Sequence, residues 1–191
     1  MNYNKIKVKE KIFPFTKNMD DLLYDEEGLW SISHPRDADK ISHIIANFTN
    51  TNKLNILDAT AGLGGNLLSF AKLFHKTTGI ELDKTRFKLL ENNIKCYNYD
   101  NITLINDNCL NHLKDYDVYF FDPPWGGPEY KKKELLNLYL GNTSLDEIVK
   151  IIPKNKYIVL KVPYNYNINL LKDYDITIKK IRNILIILIK T

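Results

Sequence analysis

The sequence has few cysteines and no long hydrophobic run, and these absences narrow the class of protein. Only two of its 191 residues are cysteines, Cys96 and Cys109, so the disulfide framework of a small secreted domain is not expected. The longest apolar run, 184–189, is much shorter than the roughly 20 residues of a transmembrane helix. The first residues lack the apolar stretch of a signal peptide. We therefore predict an intracellular protein without a membrane segment.

Arginine and histidine are also scarce. Only three arginines occur, and the lysines bring the net charge to +4, which permits a polyanionic partner without requiring one. The four histidines, His34, His43, His75 and His112, show no spacing typical of metal ligands. We predict no metal site and assign the histidines and cysteines to structural or surface positions.

The elements that are present predict one α/β domain. From Leu54 onward, short β-rich runs alternate with helical patterns, which indicates a parallel sheet covered on both faces. The predicted strands are 54–60, 77–82, 102–107, 117–123, 156–163, 174–182 and 184–190, and the predicted helices are 64–74, 83–99, 131–151 and 167–172. We divide the chain into an N-terminal extension, 1–50, and a main domain, 51–191.

Glycines and acidic residues follow the predicted strands, where open α/β sheets bind ligands. The first strand leads into "DATAGLGGN" (58–66), whose glycines let the backbone approach a ligand closely. Glu81 and Asp83 follow the second strand and can accept hydrogen bonds from a ribose. Asp107 follows the third and can accept from an exocyclic amine. By itself the glycine turn is explained equally well as a tight connection, and the dinucleotide fingerprint G-x-G-x-x-G is not matched.

Taken together, "LDATAGLGGN", "GIELD", "ND" and "DPPW" resemble class I S-adenosylmethionine-dependent methyltransferases. The resemblance implies an α/β, Rossmann-like fold with a seven-stranded, mostly parallel sheet and an antiparallel last strand. It also implies S-adenosylmethionine as the cofactor. The residues assigned to the cofactor are Asp58, Thr60, Gly62 and Asn66 near the methionine end, Asp83 or Glu81 at the ribose, and Asp107 at the adenine amine.

The "DPPW" segment, 122–125, resembles the motif of methyltransferases that act on exocyclic amines. The resemblance implies that the Asp122 side chain and the Pro123 carbonyl accept the hydrogens of the target amine, while Trp125 stacks on its base. An aryl amine becomes nucleophilic when acceptors draw its hydrogens out of the ring plane. The alternative explanation is that the two prolines only end a strand and that Trp125 belongs to the core.

Two longer segments, "PPWGGPEY" (123–130) and "YDEEGLWSIS" (24–33), resemble the trimethylguanosine synthase family, which methylates N2 of a 7-methylguanosine RNA cap. The positively charged 7-methylguanine ring is favoured by stacking on Trp125. The family often has a serine where this chain has Asp122. The resemblance assigns Phe15, Ser31 and Trp125 to the cap pocket, with Lys5, Lys7 or Lys9 as candidates for the cap phosphates. Lys131 is also assigned to substrate binding, because it directly follows the motif and can reach the phosphates or the RNA chain.

Three functions remain open. The preferred one is a cap guanosine-N2 methyltransferase. The second is a methyltransferase acting on adenine N6 or on a ribosomal guanine N2, and the third is a non-catalytic cap- or RNA-binding protein. The preferred function implies capped RNA as the partner, a monomer, no membrane, and a location in the cytoplasm or nucleus of a eukaryote or of a virus-infected host cell.

Two lysine-rich segments have simpler explanations. The run 131–133 is also explained as a solvated helix face. The segment "KIKVKEKI" (5–12) is also explained as a flexible basic arm or an edge strand.

Overall fold

The computed structural model describes residues 3–191, with side chains from Lys7 onward. Its α-helices are α1 Tyr3–Ile12, α2 Glu26–Ser31, α3 Pro35–Thr49, α4 Gly65–Leu73, α5 Lys84–Lys95 and α6 Leu145–Ile151. Its strands are β1 Asn55–Asp58, β2 Lys76–Ile80, β3 Ile102–Ile105, β4 Val118–Phe121, β5 Tyr139–Leu140, β6 Thr143–Ser144, β7 Tyr157–Pro163, β8 Ile176–Ile181 and β9 Ile184–Lys190.

Seven of the strands form one sheet in the order β3-β2-β1-β4-β7-β9-β8. The strands from β3 to β7 in this order run parallel, and β9 runs antiparallel between β7 and β8. This confirms the predicted Rossmann-like sheet with an antiparallel last strand. The chain builds outward from β1 in one direction and then continues with β4 on the other side. The carboxyl ends of β1 and β4 therefore flank the point at which such sheets bind ligands.

Apolar side chains cover both faces of the sheet. On β4, Tyr119 and Phe121 join the core on the face that α6 covers, and Phe120 joins the core on the other face. This alternation follows from the two-residue period of a strand. Ile41 and Ile45 of α3 pack into the same core as Phe120. Helix α3 thus covers the sheet although it lies within 1–50, and the division at residue 50 stays a prediction.

The segment after β4 differs from the predicted helix at 131–151. A 3-10 helix, Gly127–Lys132, and the β5–β6 hairpin come first, and only Leu145–Ile151 is α-helical. Gly141 has φ +60°, a left-handed conformation that suits the hairpin turn. A capping box formed by Ser144 and Glu147 then starts α6. The prediction was wrong because the hairpin and its capping box move the start of the α-helix from residue 131 to residue 145.

Two shorter elements are 3-10 helices. The helical stretch predicted at 167–172 is present as Ile168–Leu171, and Cys109–His112 lies between β3 and β4. The segment 5–12 is neither a flexible arm nor an edge strand, because it lies within α1. Buried Phe13 follows α1 directly and anchors it to the core that includes Leu67 and Leu90.

Candidate active site

The glycine turn between β1 and α4 adopts a conformation that requires glycine. Gly62 and Gly64 have φ values of +55° and +98°, in the left-handed region where other residues are strained. A Cβ atom placed on Gly62 would meet nothing within 4 Å. The backbone of the turn is therefore open to a ligand at Gly62.

A segment of the N-terminal extension packs directly on this turn. A Cβ atom on Gly28 would lie 2.4 Å from Leu63 Cδ1, and one on Gly65 would lie 2.7 Å from Ile32 Cγ1 and 2.9 Å from the Ser33 carbonyl oxygen. Both glycines are therefore needed for close packing. Residues 28–33, which we call the N-terminal strap, are held against the glycine turn.

Asp58 ends β1 and is fully buried. Its Oδ1 accepts a hydrogen bond from the Thr60 amide at 3.2 Å, whereas Oδ2 has no partner within the described part of the chain. Burial raises the pKa of Asp58 to about 8. Asn66, on the first turn of α4, also has a buried side-chain oxygen, Oδ1, for which the described residues offer no partner. These two oxygens are available to donors from a ligand.

Glu81 and Asp83 both follow β2, but Glu81 holds the glycine turn whereas Asp83 caps a helix. The two carboxylate oxygens of Glu81 accept hydrogen bonds from the backbone amides of Gly62 and Asp83, both at 2.9 Å. Glu81 therefore ties the glycine turn to the end of β2, and burial raises its pKa. Asp83 is the N-cap of α5 and accepts from the Arg86 amide at 2.7 Å. Between the two acids, the apolar side chain of Leu82 is 69% exposed, a feature that the sequence analysis missed.

Asp107 follows β3, and its carboxylate accepts hydrogen bonds from several neighbouring residues. Its carboxylate accepts from the Asn108 amide at 2.7 Å and from Asn111 Nδ2 at 3.3 Å, and it lies 2.8 Å from His112 Nε2. The hydrogen bond with His112 is the main cause that holds the pKa of Asp107 below its usual range. His112, which we assigned only to structure or surface, orients this carboxylate.

Asp122 follows β4 and lies beside the glycine turn. Its backbone amide donates to Thr60 Oγ1 at 2.8 Å, and its carboxylate is hydrogen-bonded by the Asn66 amide group. Its Oδ2 lies 2.5 Å from Lys161 Nζ. Burial raises the pKa of Asp122, although the charge of Lys161 opposes this rise. The structure therefore brings Asp58, Thr60, Asn66 and Asp122 together.

Lys161 is a site residue that the sequence analysis missed. It lies in β7, is only 4% exposed, and donates to both Asp122 Oδ2 and Ser33 Oγ, the latter at 2.7 Å. A buried lysine is rare unless it is paired. The one available signal was a charged residue in the middle of the apolar strand "YIVLKVP", which predicts a buried partner of opposite charge.

Trp125 is partly buried and already has neighbours on its ring. The ammonium of Lys161 lies 5.7 Å from its ring centroid, and the Tyr130 ring lies edge-to-face at 5.3 Å. Its Nε1 is buried with no partner among the described residues. The indole also packs against the main core. Stacking of a purine on Trp125 stays a prediction. Lys161 and Tyr130 already contact the indole, so a bound purine would have to use the part of the ring surface that they leave free.

The other predicted substrate residues lie at the surface. Phe15 is 85% exposed, and Ser31 and Lys131 are also exposed. Ser33, two residues after Ser31, is the serine that is buried against Lys161. Lys131 lies over the Tyr130 ring, which in turn packs edge-to-face against Trp125.

Of the N-terminal lysines, Lys9 donates to the Asp20 carbonyl at 2.7 Å. The Lys5 side chain lies outside the described residues. The described part of the chain contains no cluster of three metal-ligating side chains. No helix within residues 3–191 has the length and apolar character needed to cross a bilayer.

The strand order and the acids at the strand ends define the class: this is the Rossmann-like fold of S-adenosylmethionine-dependent methyltransferases. A 16S rRNA N2 methyltransferase of T. thermophilus, solved with AdoMet and guanosine, has the same fold, with a TM-score of 0.64 and 13% identity over 88% of this chain and 44% of that one.

The particular family follows from the sequence. A family model described as RNA cap guanine-N2 methyltransferase matches residues 53–190, and the chain belongs to this family. An uncharacterized protein of Acanthamoeba polyphaga mimivirus is 35% identical over 96% of this chain and 85% of its own length. A trimethylguanosine synthase of Schizosaccharomyces pombe is 28% identical over 78% of this chain and 69% of its own length. Family and relatives together support methyltransferase activity.

Proposed function

We propose that this protein transfers a methyl group from S-adenosylmethionine to N2 of a 7-methylguanosine RNA cap. The observation that carries the proposal is the position of "DPPW" directly after β4, with Asp122 hydrogen-bonded to Thr60 of the glycine turn. An amine acceptor and a cofactor loop are thereby held side by side. Membership of the cap guanine-N2 methyltransferase family supports the choice of amine.

The residues around the glycine turn fit the cofactor. Asp58 Oδ2 and Asn66 Oδ1 are buried acceptors to which the described residues give no partner, and the ammonium at the methionine end would supply the donors. Gly62 leaves open space beside them. When bound, S-adenosylmethionine would supply an electrophilic methyl group on a sulfonium.

At the other end of the cofactor, we assign the ribose to Glu81 or Asp83 and the adenine amine to Asp107. Each of these carboxylates already accepts hydrogen bonds within the protein. A carboxylate has about four acceptor positions, so a ligand hydroxyl or amine can still bind. The exposed side chain of Leu82 offers an apolar surface next to them.

Asp122 and the Pro123 carbonyl would accept the two N2 hydrogens and turn the amine lone pair toward the methyl group. Bound S-adenosylmethionine would supply the methyl group to N2, and the Asp122 carboxylate would take the proton that N2 gives up. Holding the two reacting atoms in line contributes up to roughly 7–11 kcal/mol in comparable intramolecular reactions. Stacking of the purine on Trp125 would add about 1–3 kcal/mol to binding.

The cap pocket proposed here includes the N-terminal extension. Phe15 and Ser31 would contact the purine, and Lys131 its phosphates. Phe15 is exposed and apolar, so a bound purine would cover surface that otherwise meets water. Capped RNA as partner, a monomeric state, and a location in the cytoplasm or nucleus of a eukaryotic or virus-infected cell are parts of the same proposal.

The test is mass spectrometry of the products formed from 7-methylguanosine diphosphate and methyl-labelled S-adenosylmethionine. We expect a product carrying one or two added methyl groups, and no product from guanosine diphosphate. Trp125→Ala should lose this activity while cofactor binding, measured by calorimetry, is retained. Transfer only to structured RNA would instead favour a ribosomal guanine or adenine substrate. Absence of cofactor binding would favour a non-catalytic RNA-binding protein.

A further inference from the structure

We propose that Lys161 is a positioning residue for methyl transfer, which keeps the Asp122 carboxylate ionised and fixed in orientation and which ties the N-terminal strap to it through Ser33. This inference rests on the proposed role of Asp122 as the acceptor of the target amine.

Lys161 of β7 lies where the segment after β4 and the N-terminal strap come together. An ammonium has three N–H donors, and two of them are used by Asp122 Oδ2 at 2.5 Å and Ser33 Oγ at 2.7 Å. The same ammonium lies over the Trp125 ring. One side chain of β7 therefore contacts the proposed amine acceptor, the proposed stacking ring and the strap.

The charges around Lys161 explain why a cation is needed there. Burial raises the pKa of both Asp58 and Asp122, and the Asp122 charge raises the pKa of Asp58 further. Lys161 lowers the pKa of both. Glu81 also acts on Asp58, and the Cys109 thiol, whose pKa burial raises to about 11, lies near the same acids. The charge of Lys161 thus opposes the effect of burial at both Asp58 and Asp122.

Stability alone does not account for this pair. A buried ion pair can often be replaced by apolar side chains without loss of stability, whereas removal of one partner is costly. The need to keep Asp122 ionised for catalysis explains why a lysine is present at this position. A protonated Asp122 would donate a hydrogen bond from one oxygen and would be a weaker acceptor for its share of the hydrogens of the target amine.

A direct consequence is a pH effect with a defined sign. Asp122 is active when ionised, so activity falls as pH falls below its pKa. Without the lysine charge, burial acts unopposed and the pKa of Asp122 rises. The acidic limb of the kcat profile should therefore move to higher pH in Lys161→Met and stay in place in Lys161→Arg, which keeps the charge.

The experiment measures kcat and KM between pH 6 and 9.5 for wild type, Lys161→Met and Lys161→Arg, with 7-methylguanosine diphosphate as the substrate. Near pH 7 we expect Lys161→Met to lose about 100-fold in kcat, the lower end of a general acid–base contribution. Raising the pH should restore most of the kcat lost in Lys161→Met. Lys161→Arg should have at least half of the wild-type kcat at pH 7. A pH profile of Lys161→Met with an unmoved acidic limb would overturn the proposal.

A double-mutant cycle separates positioning from folding. In an Asp122→Ser background, Lys161→Met should cost no further kcat, because Lys161 acts through Asp122. Melting temperatures identify variants that fail to fold, for which Lys161→Gln provides a polar replacement expected to show the same shift of the acidic limb. Equal losses of kcat from Lys161→Met with and without Asp122 would contradict the proposal.

Failure of the proposed function gives a different result. If wild type methylates only a structured RNA, the same three variants are compared on that RNA, and the predicted shift of the acidic limb is unchanged. Carbon-13 NMR titration of the Asp122 carboxyl needs no substrate. It should report a higher pKa in Lys161→Met than in wild type, and an unchanged pKa would count against the role of Lys161.

Discussion

Aspartates at the ends of β1 and β4 and aspartates after β2 and β3 lie at the same edge of one sheet, yet their environments are opposite. Asp58 and Lys161 are buried, and Asp122, whose side chain is 14% exposed, pairs with Lys161; we call these three residues the inner cluster. Asp83 and Asp107 form a more exposed group that we call the outer edge. Burial raises the pKa of the inner aspartates, whereas a hydrogen bond from His112 lowers that of Asp107.

This difference teaches that residue type alone does not set the role of an aspartate. The inner aspartates lose most of their solvation and lie near the buried ammonium of Lys161. The outer aspartates keep solvent contact and are fixed by short-range hydrogen bonds, Asp83 to the Arg86 amide and Asp107 to His112. We therefore expect changes in the inner cluster to have larger and more pH-dependent effects than changes at the outer edge.

The largest expected effect is at Asp122. Asp122→Ala leaves the Lys161 ammonium buried without its carboxylate, and loss of one member of a buried ion pair costs about 3–5 kcal/mol. Urea unfolding would measure this change in the free energy of unfolding. The matched control at the outer edge, Asp107→Ala, should cost much less, because the pair it forms with His112 is partly exposed. Similar losses of free energy of unfolding in Asp122→Ala and Asp107→Ala would contradict the proposed difference between the inner cluster and the outer edge.

Asp58 should make stability depend on pH. Its folded pKa is about 8 against a usual value of 3.8, so the native state binds a proton more tightly than the unfolded state. Its contribution to stability is present at low pH and is lost as pH rises toward 8. Relative to Asp58→Asn, wild type should lose up to about 1.4 kcal/mol per pH unit within that window. If the free energy of unfolding of wild type and of Asp58→Asn, measured with urea between pH 5 and 9, changes with pH in the same way, the raised pKa of Asp58 is contradicted.

Asp83 should matter mainly as a helix cap. Removal of an aspartate N-cap costs typically about 1 kcal/mol, so Asp83→Ala should lower the free energy of unfolding by that amount. Asp83→Asn keeps a capping oxygen and serves as its control. If calorimetry finds cofactor binding weakened equally in both variants, the Asp83 charge also contacts the ribose. If neither variant binds more weakly, the ribose assignment passes to Glu81.

The smallest expected effect is at His112. His112→Ala removes the hydrogen bond that fixes Asp107 and should raise the cofactor Kd about three- to tenfold, equivalent to roughly 0.7–1.4 kcal/mol, with little change in stability. His112→Asn, which keeps a donor, should retain more of the affinity. A cofactor Kd unchanged in His112→Ala would show that Asp107 does not need this partner.

Local patterns predicted much of the candidate site. The glycine turn, Glu81, Asp107 and "DPPW" each follow a strand directly, and parallel strands bring their carboxyl ends to one edge. The helix predicted at 131–151 was wrong because the β5–β6 hairpin and its capping box precede α6. Lys161 was missed because a lysine within an apolar strand does not reveal which acid pairs with it.

The sequence by itself determined the order of the elements, the parallel sheet and the acids at its working edge, because strand and turn signals act over a few neighbouring residues. Only the tertiary structure decided that Lys161 meets Asp122, 39 residues away, and Ser33, 128 residues away. The physical reason is that a buried charge takes whichever partner the packed core brings within hydrogen-bonding distance, and that partner is set by the sheet order and by the strap packed on the glycine turn.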